Sequence, residues 1–573
     1  MKRTLLFFLA ALLLGTATAA TGTKTYKFWV SFRDKSGTPY SILKPWDFLS
    51  QKALDRRKRA GKPVGMEDLP VVPAYVIAVS GTGVQVLLSS RWMNAVLVTT
   101  RDSSRAVELS RMTMVQKVEL MGIWSYRGGA AELNPDAFEH FGLKETETVQ
   151  DTCRIAVKTK KLNGNDNNGY GLAWDQINQL NGYELHKRGY RGKGILIAVL
   201  DAGFYRANQM EAFDSLMLSH RVLGTKDFVD FDNSVYNDDD HGTQVLSCMA
   251  ANVPGLMVGT APDASYLLLR TEDHRSEFPS EEAQWVAGVE MADSAGADIV
   301  NSSLGYTVFD RPELGHRYAE LTGNTTLISR AANMAWERGI IMVNSAGNEG
   351  DGDWHYIGAP ADAPGVIAVA AVDRTGRRAD FSSMGPTADG RMKPDLAAMG
   401  ENTIVAGTSG YFTGASGTSF SSPVLCGMIA SFMQYAGTVS PQAMRQAVEL
   451  SARHSLGKDS LLGGGLPDFR LAMDLVKGTN TRKEITFVQG LPSDTMHTAF
   501  NISTLQSPAK TWFYTLQDAE GKTVSQGSLS LQGGLMYAAA IEPAGKGIYT
   551  LTLKEGAREW KKTFYFEPYE WYD

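Results

Sequence analysis

Three short polar sequences in this chain each place a chemically useful side chain at the boundary of an element. Asp201-Ala202-Gly203 closes the apolar run 195–200, so a carboxylate stands at the carboxyl end of a strand. Asp238-Asp239-Asp240-His241-Gly242-Thr243 leads into the apolar run 245–251 and puts an imidazole at a helix start. Gly417-Thr418-Ser419, approached through a glycine-rich turn and followed by Pro423 and an apolar segment, puts a hydroxyl at another. At such a junction, unpaired backbone N–H groups and the helix dipole favour negative charge on a nearby oxygen. A serine hydroxyl is a poor nucleophile until a neutral imidazole takes its proton. A carboxylate must then hold that imidazole in one tautomer and stabilise its cation. Asp201, His241 and Ser419 supply those parts. Singly, each is equally well read as a helix or turn cap; it is their co-occurrence that favours chemistry.

The elements that must position them follow from hydrophobic patterning. From Tyr170 onward, apolar runs at 195–200, 265–269, 299–304, 340–345 and 366–372 alternate with helical stretches such as 280–295 and 325–338. Such runs read as strands buried on both faces, and repeated βαβ units predict an α/β domain with a mainly parallel sheet covered by helices. Ligands collect at the carboxyl ends of strands in such sheets. Ahead of this region, strand-like runs at 26–32 and 74–79 flank a charged helical stretch at 48–59, which predicts a small α+β region. The basic cluster Arg56-Arg57-Lys58-Arg59 reads as a solvated helix face. Past about Gly478 the helices stop, and short strand candidates with intervening turns predict a β-sandwich.

With 573 residues, about two to four domains are expected. An apolar fraction of 43% with 21% charged residues describes a folded protein, and a net charge of −6 argues against a nucleic-acid surface. Lys2 and Arg3, an apolar run at 5–14, and Ala17-Thr18-Ala19 read as a secretory signal peptide cut at about Ala19. No run is long enough for a transmembrane span. Of the cysteines, Cys248 and Cys426 sit in apolar helix-like contexts and read as buried free thiols, with a pairing between them left open; Cys153 lies in a weakly patterned linker. In that linker, Lys158-Thr159-Lys160-Lys161 and the Asn/Asp run 163–169 read as solvated loop, with a processing site and a calcium site as alternatives. The expected division is 1–19 signal peptide, 20–160 N-terminal region and linker, 165–478 catalytic domain and 479–573 C-terminal β-domain.

Together the motifs resemble those of the subtilisin-like serine peptidases, whose chain order of Asp, His and Ser they share. Asp201-Ala202-Gly203, His241-Gly242-Thr243 and Gly417-Thr418-Ser419 with Pro423 are similar to the family's three catalytic motifs. The resemblance extends to Val343-Asn344-Ser345-Ala346-Gly347-Asn348, in which it implies that the Asn348 amide serves the oxyanion. It also implies that Ser303-Leu304-Gly305 and Ser345-Ala346-Gly347 pair with an extended substrate. Glu349 would stand at the rim of the primary pocket, either favouring a polar or basic side chain or neutral in effect. The chain departs from the pattern at Ala202, where a hydroxyl residue is usual, at Gln244, where many members have histidine, and at Val424. Trp92-Met93-Asn94-Ala95-Val96 and Glu281-Glu282 resemble exported members of Bacteroidetes-type bacteria. The resemblance implies an exported serine endopeptidase that forms an acyl-enzyme and acts on protein or peptide substrates. It needs no cofactor for catalysis, while a structural calcium, its ligands and the oligomeric state are left open. The N-terminal region then resembles a pro-domain, with a permanently retained accessory domain as the alternative, and the C-terminal domain is given a packing or binding role in preference to sorting. Two other functions use the same residues: a catalytically silent peptide-binding protein and a peptide acyl transferase.

Overall fold

The computed structural model describes residues 23–126, 167–453 except 233, 458–480, 485–491, 497–502, 510–531, 536–540 and 547–566. The expected signal peptide, Cys153, the lysine run 158–161 and most of the Asn/Asp run lie outside the described residues.

The N-terminal region comprises β1 (Thr23–Phe32), α1 (Gln51–Ala60), α2 (Pro73–Ser80), β2 (Gln85–Ser90), β3 (Ala95–Thr100), α3 (Arg105–Ser110) and β4 (Val115–Tyr126). Its strands form an antiparallel sheet in the order β2-β3-β1-β4. The expected strand at 74–79 is instead the helix α2. Pro73 occupies its first turn, where a missing N–H costs nothing, and Gly81 follows its end. An apolar run without alternation does not distinguish the two structures, and these flanking residues decide for the helix. Alternate residues of the strands serve two cores. Phe28, Val30, Val96 and Val98 pack with Val79 and Leu109, while Trp29, Leu88, Trp92 and Leu97 join the core of the next domain.

That domain follows in chain order: α4 (Trp174–Asn178), α5 (Tyr183–His186), β5 (Leu196–Asp201), α6 (Asp214–Leu218), β6 (Val222–Asp227), α7 (His241–Ala250), β7 (Asn252–Val253), β8 (Met257–Val258), β9 (Ser265–Arg270), α8 (Ser280–Ala295) and β10 (Ile299–Ser302). It continues through α9 (Leu327–Glu337), β11 (Ile341–Ser345), β12 (Val366–Val372), β13 (Leu396–Met399), the hairpin β14 (Thr403–Ala406) and β15 (Phe412–Ala415), α10 (Thr418–Ala436), α11 (Pro441–Leu450) and α12 (Phe469–Asn480). Seven strands form one sheet in the order β13-β12-β11-β10-β5-β9-β6, with every neighbouring pair parallel. Ile197 and Val199 face the core that contains α7 and α10, and Leu196, Ala198 and Leu200 face the core of α8 and α9. The strand order reverses at β5, which has β9 on one side and β10 on the other. This is where an open α/β sheet offers a crevice.

The C-terminal strands β16 (Ile485–Leu491), β17 (His497–Ile502), β18 (Lys510–Gln517), β19 (Thr523–Leu531), β20 (Met536–Ala540), β21 (Gly547–Glu555) and β22 (Arg558–Phe566) form two antiparallel sheets, β16-β17-β20 and β19-β18-β21-β22.

The N-terminal sheet lies on α8 and α9, and its contact includes a buried ionic cluster that the sequence reading placed in solvent. Arg56 and Arg57 are 1% and 2% exposed. Arg56 donates to the main-chain carbonyls of Ala297 and Arg338, where α8 and α9 end, and pairs with Asp293. Arg57 bridges Asp68 at 3.1 Å and Asp293 at 2.6 Å, Arg91 also reaches Asp293, and Arg338, just past the end of α9, answers with a 2.7 Å bond to Asp68. Glu290 accepts from Ser90 Oγ and from the backbone N–H groups of Arg91 and Trp92. Asp293 is the hub: burial disfavours its charge, but Arg56, Arg57 and Arg91 outweigh that and hold its carboxyl below the usual range. Asp293→Ala is therefore expected to destabilise the unprocessed chain by about 3–5 kcal/mol, because three buried guanidinium groups lose their shared counter-charge. The shift of the guanidinium chloride unfolding midpoint checks this.

Candidate active site

Asp201, the last residue of β5, is 2% exposed. Its Oδ1 accepts from the backbone N–H of Ala202 at 2.9 Å and lies 2.7 Å from Nδ1 of His241. The first bond fixes the carboxylate plane and the second fixes the imidazole. Ala202 has no hydroxyl to offer the other oxygen, and among the described residues no protein donor meets it. His241 is the first residue of α7, and its backbone N–H donates to Asp239 Oδ1 at 2.7 Å. The close approach of α7 to β5 requires Gly242, since a Cβ there would stand 2.3 Å from the Gly203 carbonyl oxygen and 2.9 Å from Asp201 Cβ.

Ser419 lies in the first turn of α10. Its Oγ donates a long bond of 3.4 Å to the Ser303 carbonyl, and Ser303 Oγ donates to the Ser419 carbonyl at 2.9 Å. Phe420, the next residue, has its ring 6.0 Å from that of His241, which brings the imidazole to the start of α10.

Asn348 follows the end of β11. Its Oδ1 accepts from Thr418 N at 2.8 Å and Thr418 Oγ1 at 2.9 Å. A flipped amide would set its NH2 against the Thr418 N–H, so these bonds leave Nδ2 as the end free for a ligand. Thr418 Oγ1 also accepts from Gly347 N at 3.1 Å. Thr418 thus holds the oxyanion candidate, a role that the sequence reading did not give it although the residue stands inside the Gly-Thr-Ser motif.

The two segments expected to pair with a substrate lie side by side. Ser303-Leu304-Gly305 continues β10 and Ser345-Ala346-Gly347 spans the end of β11, strands that are parallel neighbours. Asn344 Nδ2 ties them by donating to the Leu304 carbonyl at 2.8 Å, and Ser345 Oγ adds a longer 3.4 Å bond to the same atom. Glu349 is exposed, with its backbone N–H held by Ser383 Oγ at 3.0 Å. Cys248 and Cys426 are buried free thiols, so the pairing left open above is not formed. Among the described residues no group of three or more His, Cys, Asp or Glu side chains gathers as for a metal ion, and no helix is long and apolar enough to cross a membrane.

Charge around His241 sets its proton affinity. Burial opposes the imidazolium, but Asp201, reinforced by Asp239 and Asp240, outweighs it and raises His241 to about 9. Only the neutral ring can accept a proton, so kcat/KM is expected to rise with pH through neutrality, with its acid limb displaced above 6.5 toward about 9. A pH profile on a chromogenic peptide checks this. The same pairing stabilises the fold fully below 6.5 and is lost as pH climbs through about 9.

Fold and site together define a class: a parallel-sheet α/β protein with aspartate, histidine and serine gathered at strand and helix ends, as in serine peptidases. The comparisons with known proteins are more specific. The model of the Subtilase family matches residues 192–471, and that of the Peptidase S8 propeptide domain, Bacteroidota, matches residues 27–132. A thermostable alkaline protease of Halalkalibacterium halodurans is 31% identical over 292 residues, 51% of this chain and 70% of the relative. A subtilisin of Bacillus pumilus is 31% identical over 301 residues, 52% of this chain and 97% of the relative. A crystal structure of MycP1 with its N-terminal propeptide removed aligns over 52% of this chain and 96% of that one, at 23% identity and a TM-score of 0.41. The chain belongs to the subtilase family. It is a subtilisin-like serine endopeptidase that carries a propeptide domain ahead of its catalytic domain.

Proposed function

We propose that this is an exported zymogen whose catalytic domain hydrolyses peptide bonds through an acyl-enzyme intermediate. Ser419 attacks the scissile carbonyl. His241 takes its proton and later gives it to the leaving amine, and Asp201 orients His241 and stabilises its cation. Asn348 Nδ2 and the Ser419 backbone N–H receive the oxyanion. An extended substrate lies between Ser303-Leu304-Gly305 and Ser345-Ala346-Gly347 and is gripped by main-chain pairing, so many sequences qualify. The observation that carries this reading is the 2.7 Å bond between Asp201 Oδ1 and His241 Nδ1, beside the helix start that bears Ser419. No cofactor or calcium enters any step.

In the accompanying division, residues 1–19 are a leader, 20–160 a pro-region and linker, 165–478 the catalytic domain and 479–573 a packing or binding domain. The apolar and ionic contact of the N-terminal sheet with α8 and α9 supports a pro-region that folds with the catalytic domain and covers it until cut.

Fluorophosphonate labelling of the purified, processed protein tests the assignment. Peptide mapping is expected to place the adduct on Ser419, and labelling that persists in Ser419→Ala would sink it. Asn348→Leu is expected to cut kcat by about a hundred- to thousandfold with little change in KM, since its amide meets charge only in the transition state. Steady-state kinetics on one peptide checks that split.

A further inference from the structure

The turn after Asp201 and the turn before His241 belong to different elements, and one buried cation joins them. Arg270 ends β9, directly in register with Asp201 on β5. It is 1% exposed. Its Nε donates to the Ala202 carbonyl at 3.0 Å, and its Nη1 bonds Asp227 at 2.8 Å and Asp230 at 2.7 Å. Its Nη2 is ion-paired with Asp238. A single guanidinium thus holds the end of β6, the turn that follows β5 and the acidic turn that leads into His241.

Those segments flank the Asp201–His241 pair and are bonded to each other. Phe204 N donates to the Val235 carbonyl at 2.8 Å and Tyr205 N to the Asp239 carbonyl at 3.0 Å, so the chain after Asp201 runs beside the chain before His241. Gly203, at φ +158°, lets them touch: a Cβ there would stand 2.7 Å from the Asp239 carbonyl oxygen. The same region concentrates negative charge. Asp201, Asp239 and Asp240 surround His241, with the Phe420 ring as its apolar neighbour. Asp227, Asp230 and Asp238 surround Arg270, with His274 against Asp238 and Arg275 against Asp230 and Asp273. Like charges crowded in this way push their loops apart unless a cation stands between them. The planar fork of arginine can serve a carbonyl and several carboxylates at once, which the single ammonium of lysine cannot.

We propose that Arg270 is a positioning residue for the catalytic pair, fixing the separation of Asp201 and His241 by clamping Ala202 and Asp238 to one guanidinium. The inference rests on the triad reading above and adds to it a residue that touches neither substrate nor the reacting atoms.

The test uses wild type, Arg270→Met, Arg270→Lys and Asp238→Asn, each expressed full length and assayed after the N-terminal region has been cut away. Asp238 has 23% of its side chain exposed, so its amide isostere removes one arm of the clamp without opening the core. Two readouts are taken beside the melting temperature: kcat and KM on a peptide, and the far-downfield proton resonance of an imidazole Nδ1–H bonded to a carboxylate. Arg270→Met is expected to lose about a hundredfold in kcat and Asp238→Asn about tenfold, with KM within about twofold, the scale set by a displacement of about 1 Å. Both are expected to weaken or shift the resonance, and Arg270→Lys to recover part of each loss. Retention of wild-type kcat and resonance in folded Asp238→Asn would overturn the proposal, even if Arg270→Met unfolds, because Arg270 would then serve the fold alone. The resonance needs no activity. An inactive, unlabelled wild type would therefore refute the triad reading and leave the Asp201–His241 geometry readable.

Discussion

Asp201→Asn is expected to give a folded protein with kcat about a thousand- to ten-thousandfold below wild type. Both local bonds of the carboxylate fall on one atom, Oδ1, which accepts from Ala202 N at 2.9 Å and meets His241 Nδ1 at 2.7 Å. The amide has two ways to sit. With its oxygen in the place of Oδ1 the imidazole keeps its tautomer, but the NH2 is driven into the buried place of Oδ2, where no protein group among the described residues forms a hydrogen bond. With its NH2 in the place of Oδ1, it confronts the Ala202 N–H and demands the opposite tautomer of His241. In either case the negative charge that stabilises the imidazolium is gone. The acid limb of kcat/KM should therefore fall from about 9 toward the ordinary 6.5 while the rate collapses. A pH profile of the variant separates this from simple unfolding, which would lower the rate without moving the limb. Activity within tenfold of wild type would remove Asp201 from the mechanism.

The residues in this argument were legible in the sequence because chemistry of this kind sits at element boundaries. An apolar run that ends in Asp201, a polar turn that opens into the helix of His241 and a glycine turn before Ser419 are local patterns. The parallel sheet was legible for the same reason, since β5, β9, β10, β11 and β12 are short apolar runs, several of them set off from the next by a helix. The edge strands β6 and β13 were not. Val222–Asp227 is interrupted by glycine and lysine, and Leu396–Met399 is a four-residue run with little β-branching. The burial of Arg56 and Arg57 was illegible on other grounds. On α1 they form part of a charged face, and they become buried only because Asp293 and the end of α9 arrive from more than 230 residues away. Arg270 shows the same limit at the site itself. Its place at the end of a strand could be read from sequence, but the convergence of Ala202, Asp227, Asp230 and Asp238 on it is a product of the fold.

Ser419→Ala should produce the largest loss, about a millionfold in kcat, the scale measured for removing the nucleophile of a subtilisin. The substitution deletes one oxygen whose only bond among the described residues is the 3.4 Å contact to the Ser303 carbonyl, too long to contribute much. The stronger link between these segments, Ser303 Oγ to the Ser419 carbonyl at 2.9 Å, uses the main chain of residue 419 and survives. Thr418 continues to hold Asn348 through bonds of 2.8 and 2.9 Å, so the oxyanion site remains formed. The melting temperature should accordingly match wild type, and the residual rate should be what Asn348 and substrate binding supply alone. Maturation gives an independent reading of the same atom. If the chain cuts itself between its N-terminal and catalytic regions, intact mass and amino-terminal sequencing will find Ser419→Ala still joined where wild type is cleaved. Identical processing of the two proteins would assign that cut to another peptidase and leave the kinetic loss as the measure of what Ser419 does.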